Sequence, residues 1–162
     1  MKSDFPIAFA VGLAVIALAV GGIFFMQRND KIDLPGKIMK VRTAELDQDS
    51  SVAVIDFRVT NPGNVLFEVR TVTVEMEDAD GKTYQGQVSS DSDAERLMQA
   101  VPVLGQKYNK TLIMKERIGA HGSQDRMAAV RFQAPLAKLD ARKRLLVRVE
   151  EVDGKTFEYT EK

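Results

Sequence analysis

The sequence predicts a mainly β protein: an N-terminal transmembrane helix, then one antiparallel β-sandwich carrying a short inserted helix. Three observations carry this. Residues 5–26 contain no charged side chain. From Lys37 onward apolar residues recur every second position, the period of half-buried strands, in runs separated by Asn, Asp, Gly and Pro. One stretch, Ser92 to Val101, breaks that period with apolar residues on one helical face.

The first element is the run from Phe5 to Met26. At about 1.5 Å per residue it makes a helix of roughly 33 Å, enough to cross a hydrocarbon core of about 30 Å. A cleaved signal peptide would carry a shorter apolar region, about 7–15 residues, ending at a small-residue site. Ala17-Leu18-Ala19 is such a site, but Val20 to Met26 still follow it, so a retained anchor in the lipid bilayer is expected. A pilin-type N-terminus would carry an acidic residue inside the run, and none is present. Pro6 falls in the first turn, where its missing N–H costs nothing. Small residues four apart, Ala8 and Gly12, Ala10 and Ala14, Ala17 and Gly21, let two such helices approach and suggest weak self-association.

Charge flanks the run unevenly. Lys2 and Asp4 precede it, and Arg28, Lys31, Lys37, Lys40 and Arg42 follow. By the positive-inside bias this count alone favours a cytoplasmic C-terminal domain, although Lys40 and Arg42 fall in a predicted strand and weaken it. Asp33-Leu34-Pro35-Gly36 reads as a turn, which divides the chain into an anchor (1–26), a Pro-stiffened linker (27–36) and a single domain (37–162). Without Lys2 and Asp4 the chain holds 22 basic and 22 acidic residues, which excludes a general basic footprint for nucleic acid. The absence of Cys excludes disulfides, thiolate zinc and thiol catalysis.

Within the domain, Ala53, Ile55, Phe57 and Val59 alternate with polar residues, and Val52 and Val54 make the first half of that strand apolar on both faces. Asn61-Pro62-Gly63-Asn64 is a strong turn. Phe67 and Val69 have one parity and Val72, Val74 and Met76 the other, which predicts a bulge or bend near Arg70. Asp78-Ala79-Asp80-Gly81 closes a hairpin into Lys82–Val88. Ser92-Asp93-Ala94-Glu95 reads as a capping box opening a short helix that Pro102 stops, lying across one open end of the sandwich. Three further strands follow: Thr111–Ile118, a run through Ala128, Val130 and Phe132 ended by Pro135, and a long one through Leu145, Val147 and Val149. Asp153-Gly154-Lys155 turns the last of these into Phe157 and Tyr159. Seven or eight strands with frequent turns fit an antiparallel sandwich of immunoglobulin-like type.

The succession VIDFRVTNPGNVLFEVRTVTVEMEDADGKTYQG, followed by ERIGAHGSQDRMAAVRFQAP, resembles two related groups. One is the bacterial membrane-anchored telokin-like, immunoglobulin-like extracellular domains. The other is the late-embryogenesis-abundant type 2 (water-stress, WHy) domains. The likeness covers about residues 50–135 and lies in strands and turns; Ser89–Lys110 has no counterpart. It implies a binding, protective or scaffold role, and an exported domain. Weighed with the charge count, it leaves the extracytoplasmic side favoured for the C-terminal domain.

Chemistry is sparse. His121, the one histidine, stands in a Gly-flanked turn without an obvious acidic partner in sequence. The pairs Asp47/Asp49, Asp78/Asp80 and Asp91/Asp93 are explained by turn and cap roles, so no metal or other cofactor is expected. Asn109-Lys110-Thr111 is a formal glycosylation sequon. No phosphate-binding Gly loop, nucleophile elbow or HExxH occurs, so an enzyme is not expected. The expectation is a single-pass, non-catalytic binding or assembly module at the membrane surface, engaging a protein partner through a sheet edge or the helical insertion. Asn61, Asn64, Glu95 and Arg96 are its candidate partner-surface residues. The competing expectation is a structural, stress-protective domain without a discrete site, and a small-ligand carrier would need a cavity between the sheets.

Overall fold

The computed structural model describes residues 5–27, with side chains over 9–23, and residues 33–161. These fall into two units, Met1–Lys31 and Ile32–Lys162.

The first unit is the helix α1 (Phe5–Gln27), 23 residues long, with no acidic residue in its first turn, no basic one in its last and no polar face. Its described side chains are all exposed, Leu18 to 77%. A helix apolar all round needs cover from outside itself. Among the described residues no helix is long and apolar enough to cross a membrane. Residues 9–23 amount to about 22 Å, against a core of about 30 Å, so the expected transmembrane helix is not met by the described side chains. The Ala8 side chain, the flanking charges Lys2, Asp4, Arg28 and Lys31, and linker positions 28–32 lie outside the described residues. At Gly12 and Gly21 an added Cβ would meet nothing within 4 Å, so no neighbour packs on those two members of the small-residue set.

The second unit contains β1 (Gly36–Asp47), β2 (Ser50–Thr60), β3 (Phe67–Glu77), β4 (Thr83–Val88), α2 (Asp91–Ala100), a 3₁₀ turn (Pro102–Leu104), β5 (Lys110–Thr111), β6 (Arg117–Ile118), β7 (Ser123–Phe132), α3 (Leu136–Asp140), β8 (Arg144–Glu151) and β9 (Thr156–Thr160). The strand order is β1-β2-β7-β4-β3-β8-β9, with β5 beside β7 and β6 beside β3. All pairs are antiparallel except β5 with β7. The domain is therefore mainly β and antiparallel, a β-sandwich with a few helices.

One layer is β1-β2-β7 and the other β3-β8-β9. Strand β4 joins them, pairing with β3 over Thr83–Gly86 and with β7 at Gln87 and Val88. Gly86 makes that crossing possible: a Cβ there would run into Val130 Cγ1 and the Phe132 ring. Between the layers lie Ala53, Ile55, Phe57 and Val59 of β2, Val130 and Phe132 of β7, and Val74, Met76, Val147 and Val149 from the facing sheet. The parity change in β3 is real: its register with β8 shifts between Val69 and Thr71, so Phe67 and Val69 reach the same core as Val74 and Met76. Gly81 and Gly154 take positive φ (83° and 89°) in the two hairpin turns, a conformation glycine adopts without steric cost.

Three expectations need correction, and one short helix was not expected. The N-cap of α2 is Ser90, whose Oγ accepts from the Asp93 N–H at 3.2 Å, so the helix begins before the Ser92 box. That helix covers the outer face of β1-β2-β7 rather than an open end: Ala94, Met98 and Leu104 pack on Ala44, Val52, Val54, Met127 and Ala129. This is why Val52 and Val54 are apolar on the side facing away from the main core. The run Thr111–Ile118 is two short strands separated by a turn at Met114-Lys115, where Lys115 has φ 66°. Beyond Pro135 the chain makes α3, a single turn that places Leu139 in the core.

Candidate functional site

Strands β1 and β9 end the strand path, so each has one edge without a strand partner among the described residues. The two edges face each other across a groove of about 630 Å³, lined by Gly36–Val41 on one side and Glu158–Glu161 on the other. Local sequence explains its shape. Ile38 and Val41 are the inward apolar positions of the first part of β1 and are three apart, which an unbroken strand cannot accommodate. The register with β2 accordingly shifts between Ile38 and Lys40, and Met39 is left 42% exposed at the groove. That spacing was the sequence signal for the groove, and period-2 reading passes over it.

Tyr159 helps line the groove and is itself buried. Its ring stacks on Phe57 at 6.0 Å and its hydroxyl donates to the Leu34 carbonyl at 2.7 Å. Burial, and then the Asp33 charge, push its phenol above the usual range, so it stays neutral. Gly36 is required beside it: a Cβ there would meet the Arg58 carbonyl oxygen at 2.5 Å and the tyrosine ring at 2.6 Å. Lys37 and Lys40 stand exposed on the β1 side. Opposite them Glu158 is held by Arg148 at 2.9 Å and Glu161 by Arg142 at 2.7 Å. Unpaired strand edges, small apolar surfaces and both signs of charge suit an extended polypeptide.

The four residues expected to form a partner surface are not brought together. Asn61 is buried: its Nδ2 donates to the carbonyls of Val65 (2.8 Å) and Ile118 (3.1 Å), and its Oδ1 accepts from the Gly63 N–H (3.0 Å). It organises the loop and offers nothing to a partner. Asn64 is exposed, with Oδ1 3.0 Å from His121 Nε2, so the histidine has a polar neighbour that lies far away in sequence. Glu95 and Arg96 are exposed on α2, where Arg96 makes only a loose pair with Asp93 at 3.7 Å. Asn64 sits where β2 ends, whereas α2 packs on Val52 and Val54 near the start of that strand.

The acidic pairs hold turns and caps. Asp47 accepts from the Asp49 N–H and Ser50 Oγ, and Asp78 from the Asp80 and Lys82 N–H groups. Burial disfavours the Asp78 charge, yet the Lys82 amide, the Lys138 ammonium and the Asp80 amide hold its carboxyl below the usual range. Asp91 is lowered to about 2 by Lys107, 2.6 Å away, and by the Thr111 N–H. Among the described residues no three His, Cys, Asp or Glu side chains are placed to hold a metal.

Sequence reading missed a further polar cluster under the insertion. Arg42 donates to Asp56 at 2.8 Å and to the carbonyls of Leu104 (2.6 Å) and Gln106 (2.8 Å), beneath the Tyr108 ring. Asn109, the sequon asparagine, donates its amide to the other Asp56 oxygen at 2.9 Å. That side chain is therefore engaged inside the fold.

The fold and groove define a β-sandwich domain with two edges that lack a strand partner among the described residues, in a chain that also carries the 23-residue helix α1. The sequence matches no family model and no curated protein significantly. Solved structures share its general shape. An uncharacterised β-sandwich protein from Clostridium difficile 630 is 12% identical, with TM-score 0.44, over 80% of this chain and 85% of that one. A candidate late embryogenesis abundant protein, solved in solution, is 10% identical with TM-score 0.46, over 98% of this chain and 86% of that one. An ApaG protein from Pseudomonas aeruginosa PAO1 is 8% identical with TM-score 0.36, over 73% and 94%. These are loose likenesses of fold alone.

Proposed function

We propose that this chain is a single-pass, membrane-anchored, non-catalytic binding module. Residues 5–26 form the anchor, and the sandwich, of immunoglobulin-like type, receives an extended segment of a protein partner in the groove between β1 and β9. The observation that carries this reading is the pair of unpaired strand edges facing one groove. A peptide laid there would complete the hydrogen bonding of either edge, and side chains such as Met39 would select what enters. The anchor is supported by the uncharged run of residues 5–26 and by the 23 helical residues of α1, which present no polar face. We place the domain on the extracytoplasmic side and assign Ala8, Gly12, Ala17 and Gly21 to weak self-association within the bilayer.

The test is site-directed photocrosslinking in the native membrane from positions 39 and 158, on the two walls of the groove. Position 103, exposed on the 3₁₀ turn of the insertion, serves as control. The same crosslinked species from 39 and 158, absent from 103 and lost when Met39→Asp is introduced beside the position-158 probe, is the expected result. Equal crosslinking from 103, or none from either wall, overturns the groove as the binding site.

A further inference from the structure

Seven strands lie on the path from β1 to β9, and each is antiparallel to the next, so its first and last strands run in the same direction. On the far side of the sandwich the two layers are bridged by β4, which pairs with both β3 and β7. Between β1 and β9 no pairing exists among the described residues. These two strands cannot extend the antiparallel pattern with each other. One further strand running against both can, and it would be antiparallel to each neighbour.

The opening has defined ends. At one, Gly36 stands so close to the Tyr159 ring that a Cβ would meet it at 2.6 Å. Beyond the other, Thr43 Oγ1 donates to Asp140 of α3 at 2.8 Å. Between them β1 presents residues 36–41, about 20 Å of strand. Its inward positions, Ile38 and Val41, pack on the core to which Tyr159 belongs. Its outward positions, in register with Arg58 and Asp56, are Lys37 and Lys40, both exposed. Neither lysine has a hydrogen-bond or ion-pair partner among the described residues. The acids beside them are already taken. Arg58 holds Asp125, on which the Lys37 charge also acts, at 2.6 and 2.8 Å. Arg42 holds Asp56, the register partner of Lys40, at 2.8 Å. On the β9 wall the carboxylates are engaged as well: Arg148 is shared by Glu158 and Glu75, and Arg142 holds Glu161. A strand entering the groove therefore meets two unpaired ammonium groups and no unpaired carboxylate.

We infer that the groove takes an acidic extended segment of a partner protein, running antiparallel to both β1 and β9, with apolar side chains inward and carboxylates outward against Lys37 and Lys40. The inference rests on the groove proposed above and adds to it a charge and a direction. Direction follows from strand parity: the N-terminal end of the segment lies beside Val41 and its C-terminal end beside Gly36. Charge follows from the two lysines, which a carboxylate on the neighbouring strand would neutralise and a cation would oppose. Met39, set out by the register shift between them, adds apolar contact to the same wall.

Two peptides serve as probes: acetyl-Thr-Glu-Val-Glu-Val-Glu-Val-Thr-amide and its counterpart with every Glu replaced by Lys. Each is titrated into isotope-labelled full-length protein in neutral detergent micelles, and the amide resonances are followed by NMR. The acidic peptide should shift the amides of residues 36–41 and 158–161 and bind about tenfold tighter than the basic one at low salt. That preference should disappear in the double variant Lys37→Gln, Lys40→Gln and return in Lys37→Arg, Lys40→Arg. A nitroxide at the N-terminus of the acidic peptide should broaden the Val41 amide more than the Gly36 amide, and one at its C-terminus should do the reverse. Equal affinities with the same amides shifted overturn the acidic assignment, and the opposite nitroxide pattern overturns the direction; either result leaves the groove standing. No shift on either wall from either peptide at millimolar concentration overturns the groove as well. Shifts at 36–41 that appear on concentrating the protein without peptide seat a second copy there and overturn the partner segment.

Discussion

The cluster between the two layers and the cluster beneath α2 bury the same kinds of side chain, yet they are closed in different ways. The first is sealed by strand alternation alone: Phe57, Phe132, Val74 and Val147 face one another from two sheets and need no charge to hold them. The second is a strip of Val52, Val54, Met127 and Ala129 covered by an insertion that polar contacts hold down. Arg42 bonds the carbonyls of Leu104 and Gln106, Asp56 takes Asn109, and Asp91 takes Lys107. Packing of apolar layers is insensitive to pH and salt, whereas ion pairs and charge-assisted hydrogen bonds are not. The sandwich and its cover should therefore separate under conditions that act on charge.

The largest effect is expected in the first cluster. Phe132 is fully buried and packs where β4 crosses between layers at Gly86. Phe132→Ala removes the ring from a site that cannot close fully and should cost about 4 kcal/mol. In urea the midpoint should fall with the slope unchanged, since the whole domain unfolds as before. A smaller loss, or a transition split in two, would show that the layers are less dependent on one another than their shared core implies.

Arg42→Met tests the second closure. It leaves Asp56, only 6% exposed, with Asn109 as its one side-chain hydrogen-bond partner, and takes the donor from two carbonyls. Breaking a buried pair from one side costs about 3 kcal/mol. The loss should appear first as faster hydrogen exchange over residues 97–109, at denaturant levels where β2 and β7 amides stay protected. Uniform loss of protection across the domain would mean that the cover and the sandwich form one cooperative unit.

This contrast also marks how far the sequence could be read. The sandwich was legible because its rules are local: alternation in β2, the parity change around Arg70, and Gly81 and Gly154 at turns that need positive φ. The position of α2 was not, because an apolar stripe of Ala94 and Met98 says that a helix covers something but not which surface. Val52 and Val54 named that surface, although a central strand would show the same residues. Thr111–Ile118 reads as one strand by propensity, yet the left-handed turn at Lys115 divides it. Asn61 reads as an exposed turn residue, while its side chain closes on the carbonyl of Ile118, 57 positions away. Contacts of that range leave no local pattern, and of the four residues named for a partner surface only Asn61 had a decisive structural role hidden in this way.

The smallest effect belongs to Asp91, at the edge of the cover. Lys107 first, and then the Thr111 N–H, hold its carboxyl at about 2, below the ordinary aspartate value of about 3.9. Because the folded value is the lower one, the unfolded chain binds the extra proton. The stabilisation is complete above about pH 4 and is lost as pH falls toward 2. The carboxylate is 45% exposed, so solvent screens the pair, and Asp91→Asn should cost less than about 1 kcal/mol at pH 7. Exchange of the Thr111 amide reads the site directly, since its N–H donates to Asp91 Oδ1 at 2.8 Å. The difference in protection between wild type and variant should stay constant from neutral pH to about 4.5 and close near 2. A difference that persists at pH 2 would mean that Asp91 holds the insertion through hydrogen-bond geometry alone, and the charge-dependent closure would then rest on Arg42 and Asp56.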